Sequence, residues 1–311
     1  MAAPASSLIA IVGPTAAGKS ALGMRVALKV GGEIVSCDSL QVYRGLDLGS
    51  AKATRAEREE VRHHLLDVVD PDQDFSAADY ARLARVAVRD VAARARVPVV
   101  VGGTGLYFKA LVEGLFEGPS RQSALRRRLD ALARRHGDPR LHRLLAHVDP
   151  EAAVRIERSD RVRVVRALEV FFASGRPISE HRRRGSSPLT GFRILTLGLS
   201  LDRAALRLAV EGRTESMLGG GLIQEVAALL DQGYAPDLRP LRAIGYRQAV
   251  DVVRGRLSLE EAHRQIVTET MRYAKRQMTW FRHQASVNWF RSADEALAAA
   301  GAWLADPEEV G

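Results

Sequence analysis

The sequence predicts an α/β protein: a parallel sheet covered by helices on both faces, with an inserted all-helical domain and a helical C-terminal region. Three observations carry this. Short Val- and Ile-rich strands alternate with helical stretches, and they read as continuous apolar runs, as strands buried on both faces do. The first strand runs into Gly13-Pro14-Thr15-Ala16-Ala17-Gly18-Lys19-Ser20 and a helix follows, which makes the sheet one of P-loop NTPase type. Residues 118–186 hold no convincing strand and carry 17 basic and 8 acidic side chains, whereas residues 1–117 balance at 14 of each and residues 187–311 at 15 of each.

Taken in order, residues 8–12 form a strand that ends at Gly13, and helix-compatible sequence covers 19–30. A second strand, 33–36, ends at Cys37-Asp38-Ser39, and a third, 65–69, at Asp70-Pro71. Ser76 caps a helix that reaches about Arg96. A fourth strand, 97–101, is nearly all Val and ends in Gly102-Gly103. Over 121–184 only helical stretches appear, punctuated by Gly137-Asp138-Pro139, Asp149-Pro150 and Gly175-Arg176-Pro177. A strand returns at 192–199. Helices follow near 202–218, 221–232 and 242–254, then a long one over 259–284 opened by the capping box of Ser258 and Glu261, and a short strand near 287–290. The expected organisation is a sheet domain built from 1–117 and 187–311, interrupted by a helical domain at 118–186.

Composition narrows the function classes. With 46% hydrophobic and 27% charged residues the 311-residue chain can bury a large core. Its one cysteine, Cys37, excludes intrachain disulfides and Cys-based zinc sites and fits a reducing compartment. No apolar run approaches the ~18–20 residues of a membrane span. The N-terminus lacks a basic n-region, so its short apolar run reads as a strand, and a cytoplasmic protein is expected. The net charge of +9 resides wholly in residues 118–186, which points to a surface that meets a polyanion. His63 and His64 are adjacent in an extended segment, where side chains face opposite ways, and do not form a ligand pair. A thiolate beside Asp38 is disfavoured, so Cys37 is not a nucleophile.

The G-x-x-x-x-G-K-[ST] loop has direct physics. Its backbone N–H groups and the helix N-terminus attract a phosphate, Lys19 adds a full charge, and the Ser20 hydroxyl suits Mg2+. A hydrolysing P-loop protein places an acid after a buried apolar strand. Here the most apolar strand ends in Gly102-Gly103, and the acid, Asp38, follows the second strand. This favours group transfer involving a phosphorylated ligand over a motor ATPase.

Several long motifs carry a family resemblance. They are GPTAAGKS (13–20), DSLQVYRGLDLGSAK (38–52), HHLLDVVDP (63–71), GGTGLYFKALVEGL (102–115), RVVRALEV (163–170), Arg213-x3-Met217-Leu218 running on to GLIQEV (221–226), RAIGYRQ (242–248) and AKRQMTWFR (274–282). In these the chain resembles the bacterial tRNA dimethylallyltransferases, the IPP transferase family, over almost its whole length. Ser50 and Ala53 depart from the Thr and Pro common there, at positions without a catalytic role.

The resemblance implies transfer of a dimethylallyl group from dimethylallyl diphosphate to the exocyclic N6 amine of adenosine 37, beside the anticodon of a tRNA. It implies Asp38 as the base for the amine, worth ~10²–10⁴-fold. Residues 13–20 with Mg2+ on Ser20 would hold the diphosphate, Arg213 would reach the leaving group, and Thr15 and Thr104 would line the path between. Asp38, Ser39, Leu40, Gln41 and Thr104 would meet the flipped base. Arg126 and the run Val162, Arg163, Val164, Val165 and Arg166 would face RNA from the insert. So would Arg242, Ala243, Ile244, Gly245, Tyr246 and Arg247, and the run Lys275, Arg276, Gln277, Met278, Thr279, Trp280, Phe281 and Arg282. Residues 187–284 carry 14 basic and 10 acidic groups against 1 and 5 in 285–311, so a second basic surface is masked in the segment sum. The basic insert is expected to close on the anticodon stem-loop, and the protein to act as a monomer with no protein partner. Rival readings are an adenylate isopentenyltransferase, a P-loop small-molecule kinase and a nucleotide-regulated RNA-binding protein.

Overall fold

The computed structural model describes residues 6–116, 118–119, 121–183 and 185–306. The first five residues, residue 117 at the expected domain boundary, and residues 307–311 of the acidic tail lie outside the described residues. The chain divides into two units, Met1–Val112 with Leu189–Gly311, and Glu113–Pro188.

The first unit begins with β1 (Ser6–Val12), α1 (Lys19–Val30), β2 (Glu33–Ser36), α2 (Arg55–Glu60), β3 (His63–His64), α3 (Ala77–Ala93), β4 (Pro98–Val101) and α4 (Gly105–Val112). The second unit contains α5 (Ser123–His136), α6 (Asp138–Val148), α7 (Pro150–Arg155), α8 (Arg161–Ser174) and α9 (Ile178–Arg183). The first unit then resumes with β5 (Phe192–Leu199), α10 (Arg203–Gly219), α11 (Leu222–Asp231), a 3-10 turn Pro240–Arg242, α12 (Tyr246–Val253), α13 (Leu259–Gln284), β6 (Asn288–Phe290) and α14 (Ala293–Ala305).

The strands form one parallel sheet in the order β3-β2-β4-β1-β5-β6, with Ile9 opposite Val99 on one side and Leu195 on the other. Parallel neighbours require crossovers, so helices cover both faces and the strands are apolar on both. The period of two sorts the side chains. Ile9, Ile11, Ile34, Val99, Val101 and Leu197 pack with Leu22 and Val26 of α1 and Ala296 and Ala300 of α14. Leu8, Ala10, Val12, Val35 and Val100 pack with Tyr80, Ala84 and Val88 of α3, Leu111 of α4 and Phe281 of α13. Each buried Val, Leu, Ile or Phe side chain among these contributes about 1.5–3 kcal/mol of transfer free energy. The loops after β1, β2 and β4 leave the same edge of the sheet, and this edge holds the site.

The second unit has its own core, in which Leu129, Leu141, Leu145, Val164, Leu168 and Ile178 meet. Asp149 caps α7 by accepting from the Ala152 N–H at 2.9 Å, and its other oxygen accepts from the Ser179 N–H at 3.0 Å.

Two expectations for local structure need correction. The strand expected at 65–69 is displaced: β3 is two residues long and pairs His63 with Ile34 and His64 with Val35. Leu65 and Asp67 then take φ values of 63° and 56°, a left-handed backbone that ends a strand, and Val69 makes a lone bridge to Tyr43. The helix expected from 242 starts at Tyr246, because Pro240–Arg242 is a 3-10 turn and Gly245 has φ 92°. The sequence reading did not anticipate α2, α4 or α14.

Candidate active site

The phosphate loop leaves β1 and turns into α1 at Gly18, whose φ of 86° suits a residue without a side chain. The first N–H groups of α1 have no intrahelical acceptor, which leaves them for an anion. Lys19 Nζ donates to the Pro14 carbonyl at 2.6 Å. Burial, and after it Arg213, push the Lys19 ammonium down to about 8, against the opposing pull of Asp38 and Cys37. Arg213 reaches in from α10 and donates to Thr15 Oγ1 at 3.1 Å. Burial lowers its pKa from the usual guanidinium range, while Asp38 works to raise it. Ser20 stands exposed in the first turn of α1.

Asp38 leaves the end of β2, and its Oδ1 accepts from the Leu40 N–H at 2.8 Å, an Asx-type turn that fixes the carboxylate. Thr104 sits beside it. Its Oγ1 accepts from the Ser39 N–H at 3.1 Å and its own N–H donates to the Cys37 carbonyl at 3.2 Å. This approach needs Gly102, where an added Cβ would lie 2.1 Å from the Cys37 carbonyl oxygen. Gln41 is tied inward: Oε1 accepts from the Ser36 hydroxyl at 2.8 Å, and Nε2 donates to Ser50 O at 3.3 Å and Ala51 O at 3.1 Å. Below it, the ammonium of buried Lys52 reaches Tyr43 O at 2.7 Å, Asp47 Oδ1 at 2.6 Å and Asp67 Oδ1 at 2.7 Å. Burial opposes charge on Asp67, but Lys52 and Arg58 outweigh it and hold that carboxyl below its usual range.

Thr15, Lys19, Ser20, Asp38, Ser39, Leu40, Gln41 and Arg213 wall a cavity of about 440 Å³ within the first unit, together with Phe75, Tyr107, Arg239, Tyr273 and Gln277; Thr104, expected to line the path between base and diphosphate, is not among the residues that line it. Tyr107 stacks on Tyr80 with ring centroids 4.3 Å apart and meets Phe75 edge-on at 6.3 Å. Burial, then Asp38, push the Tyr273 hydroxyl up to about 12. Burial likewise pushes the Cys37 thiol up to about 12, which leaves it an inert core group. His63 bonds the Val61 carbonyl and His64 bonds Glu33, both at 2.7 Å. Among the described residues no group of three or more His, Cys, Asp or Glu could cage a metal.

The expected RNA-facing residues divide sharply. In α8, Val162 and Arg163 are exposed, but Val164 and Val165 are buried in the core of the second unit. Arg126 and Arg166 turn inward to Glu169. Arg126 makes two bonds to its carboxylate at 2.8 Å, and Arg166 makes one at 2.6 Å and another to Pro119 O at 3.0 Å. Burial opposes the charge on Glu169, yet these arginines and the Gln122 N–H hold its carboxyl down to about 2. Helical spacing does set Arg163 and Arg166 side by side, but a buried carboxylate claims the second. Arg242 is exposed and, with half-buried Ala243 and Ile244, lines the cavity. Gly245 and Tyr246 are buried, and Tyr246 packs on Gly49 and donates to Glu225 at 2.7 Å. Arg247 is exposed and pairs with Glu269 at 2.5 Å. On α13, Lys275, Arg276, Thr279 and Arg282 are exposed, Met278 and Trp280 are half-buried, and Gln277 and Phe281 are buried. The side chains of Val164, Val165, Tyr246 and Phe281 therefore face the core and do not offer themselves to RNA, and Gln277 faces the cavity rather than the outer surface of α13.

Some cavity residues escaped the sequence reading. Tyr273 carries a usable signal, since it lies one helical turn before Gln277 on the same face of α13. Phe75, Tyr107 and Arg239 carry none, because loops and helices distant in sequence bring them together.

A sequence model of the IPP transferase family matches residues 41–284. The chain is 48% identical over 282 residues to tRNA dimethylallyltransferase 2 of Geotalea uraniireducens, covering 91% of each protein. It is 46% identical over 290 residues to tRNA dimethylallyltransferase of Solibacter usitatus, covering 93% of this chain and 94% of that one. Among solved structures it resembles the full-length tRNA isopentenylpyrophosphate transferase of Bacillus halodurans, with a TM-score of 0.70 and 37% identity over 97% of this chain and 96% of that one. No helix among the described residues is long and apolar enough to cross a membrane.

Proposed function

The chain belongs to the IPP transferase family, and we propose that it transfers the dimethylallyl group of dimethylallyl diphosphate to the N6 amine of adenosine 37 in tRNA, releasing pyrophosphate. The observation that carries this reading is one cavity lined by a carboxylate, Asp38, and by two cations, Lys19 and Arg213, beside a phosphate loop. A hydrolase would aim a carboxylate at water. A transferase needs one facing a weak nucleophile across from an anion-binding pole.

The adenine enters flipped from its stack, at a cost of a few kcal/mol. Its N6 lone pair is delocalised into the ring. Asp38 hydrogen-bonds the amine and takes its proton as the C–N bond forms. The allylic C–O bond breaks, and its electron pair leaves on pyrophosphate. Lys19, Arg213 and the N–H groups of the loop stabilise that growing charge. Thr104 holds the turn that carries Ser39, next to Asp38. Mg2+ suits the hard oxygen of Ser20 together with the diphosphate's own oxygens, and when bound it would neutralise part of the leaving group's charge. Gln41 acts by bracing the base-binding loop, since both ends of its amide are engaged.

For the RNA, Arg163 on the second unit and Arg242, Arg247, Lys275, Arg276 and Arg282 on the first are exposed cations that suit phosphates. The second unit, with 17 basic and 10 acidic residues over 113–188, acts as a clamp on the anticodon stem-loop. The enzyme works as a cytoplasmic monomer. Incubation with labelled dimethylallyl diphosphate and tRNA, AMP or no acceptor tests this. Label on tRNA alone is expected. Label on AMP would favour the free-nucleotide enzyme, and phosphate transfer from ATP without prenyl transfer would favour a kinase.

A further inference from the structure

Gln277 differs from its neighbours on α13. The exposed Lys275, Arg276 and Arg282 face outward, whereas Gln277 is only 7% exposed. Its Oε1 accepts from the Thr15 N–H at 2.9 Å, and its Nε2 donates to the Gly103 carbonyl at 2.8 Å. Thr15 belongs to the phosphate loop after β1, and Gly103 to the turn after β4. Those two segments carry opposite halves of the reaction. The Thr15 hydroxyl holds Arg213 at 3.1 Å on the diphosphate side, and Thr104, next to Gly103, holds the Ser39 N–H at 3.1 Å beside Asp38. One buried amide thus joins both halves of the cavity.

We propose that Gln277 is a positioning residue: it keeps the phosphate loop in register with the Asp38–Thr104 turn, so that the allylic carbon lies within reach of the amine. The inference rests on the transferase reading above. The residue type is specific to the task. An amide offers an acceptor and a donor from one planar group. An ionised carboxylate offers two acceptors and would repel the Gly103 carbonyl, and a thioether of similar size offers neither bond. Displacing reacting groups by about 1 Å can cost ~100-fold in rate, so the loss belongs in turnover.

The test uses the full-length protein with Gln277→Met and Gln277→Glu, assayed with labelled dimethylallyl diphosphate and tRNA. Both variants are expected to lose at least ~tenfold in kcat while KM for tRNA stays within about twofold. Gln277→Glu has a further signature. When protonated, its carboxyl regains a donor toward Gly103, so its rate relative to wild type at the same pH should rise as the pH is lowered. This ratio carries the test by itself should Gln277→Met not fold. Unchanged kcat in either folded variant, a loss confined to KM for tRNA, or a flat ratio for Gln277→Glu would overturn the proposal. Failure of the wild type to prenylate tRNA would instead overturn the transferase reading.

Discussion

Raising the pH through 8 should discharge the phosphate-binding lysine long before an ordinary lysine would respond. Burial and Arg213 hold the Lys19 ammonium at about 8, well below the 10.5 of an ordinary lysine. At pH 7 roughly nine-tenths of the free protein carries the ammonium, and at pH 9.5 about 3% does, so affinity for dimethylallyl diphosphate should fall roughly thirtyfold, about 2 kcal/mol. The ligand's own second ionisation lies near ~6 and does not change in this window. Calorimetric titration of the diphosphate without tRNA, from pH 7 to 9.5, measures the fall. Lys19→Arg keeps its charge throughout and should give a much flatter curve. The stability of the free protein should move the other way. Because the folded pKa lies below the unfolded one, the unfolded chain binds more protons between about 8 and 10.5, and stability rises with pH across that window. A wild-type affinity that stays level to pH 9.5, or falls in parallel with that of Lys19→Arg, would show that discharge of Lys19 does not control diphosphate binding.

Three further outcomes are expected. Asp38→Asn should lower kcat by ~10²–10⁴ while leaving diphosphate affinity at pH 7 within about twofold, read from single-turnover rates and calorimetry. Arg213→Ala should cost about 10²-fold in kcat/KM, since it removes a charge aimed at the leaving group, and should also raise the Lys19 pKa, moving the binding curve to higher pH. Glu169→Gln should destabilise the second unit by about 3 kcal/mol, the lower end for a broken buried pair because Arg126 and Arg166 are 27% and 30% exposed. In the wild type this contribution is present above the ordinary carboxylate pKa of 4.5 and is lost as pH falls toward about 2, visible in acid denaturation followed by circular dichroism.

Features that obey short-range rules were readable in the sequence. The phosphate loop, the strand ending at Asp38 and the capping box at Ser258 each depend on residues a few positions apart, and each forms as its spacing requires. What was not readable depends on partners distant in the chain. The 65–69 segment has strand-like composition, but Asp67 takes a left-handed backbone and pairs with buried Lys52 and with half-buried Arg58, partners 15 and 9 residues away in the chain. Arg126 and Arg166 look like RNA contacts until Glu169, buried at the centre of α8, is seen to bind both. Glu169 sits between Leu168 and Val170 and three residues from Arg166, which is the one local hint of that pairing. For Gln277 the hint was periodicity: with Ala274 and Phe281 it falls on the inward stripe of α13, so a polar residue there calls for buried partners.

The central claim is that one cavity aligns an adenine amine, a carboxylate and a diphosphate. Its most direct test is to digest tRNA labelled by the purified protein and locate the modified nucleoside. All transferred label should lie on N6 of adenosine 37, and none should appear when Asp38→Asn replaces the wild type over the same few turnovers. Label on another atom or nucleotide, or equal labelling by Asp38→Asn, would contradict it.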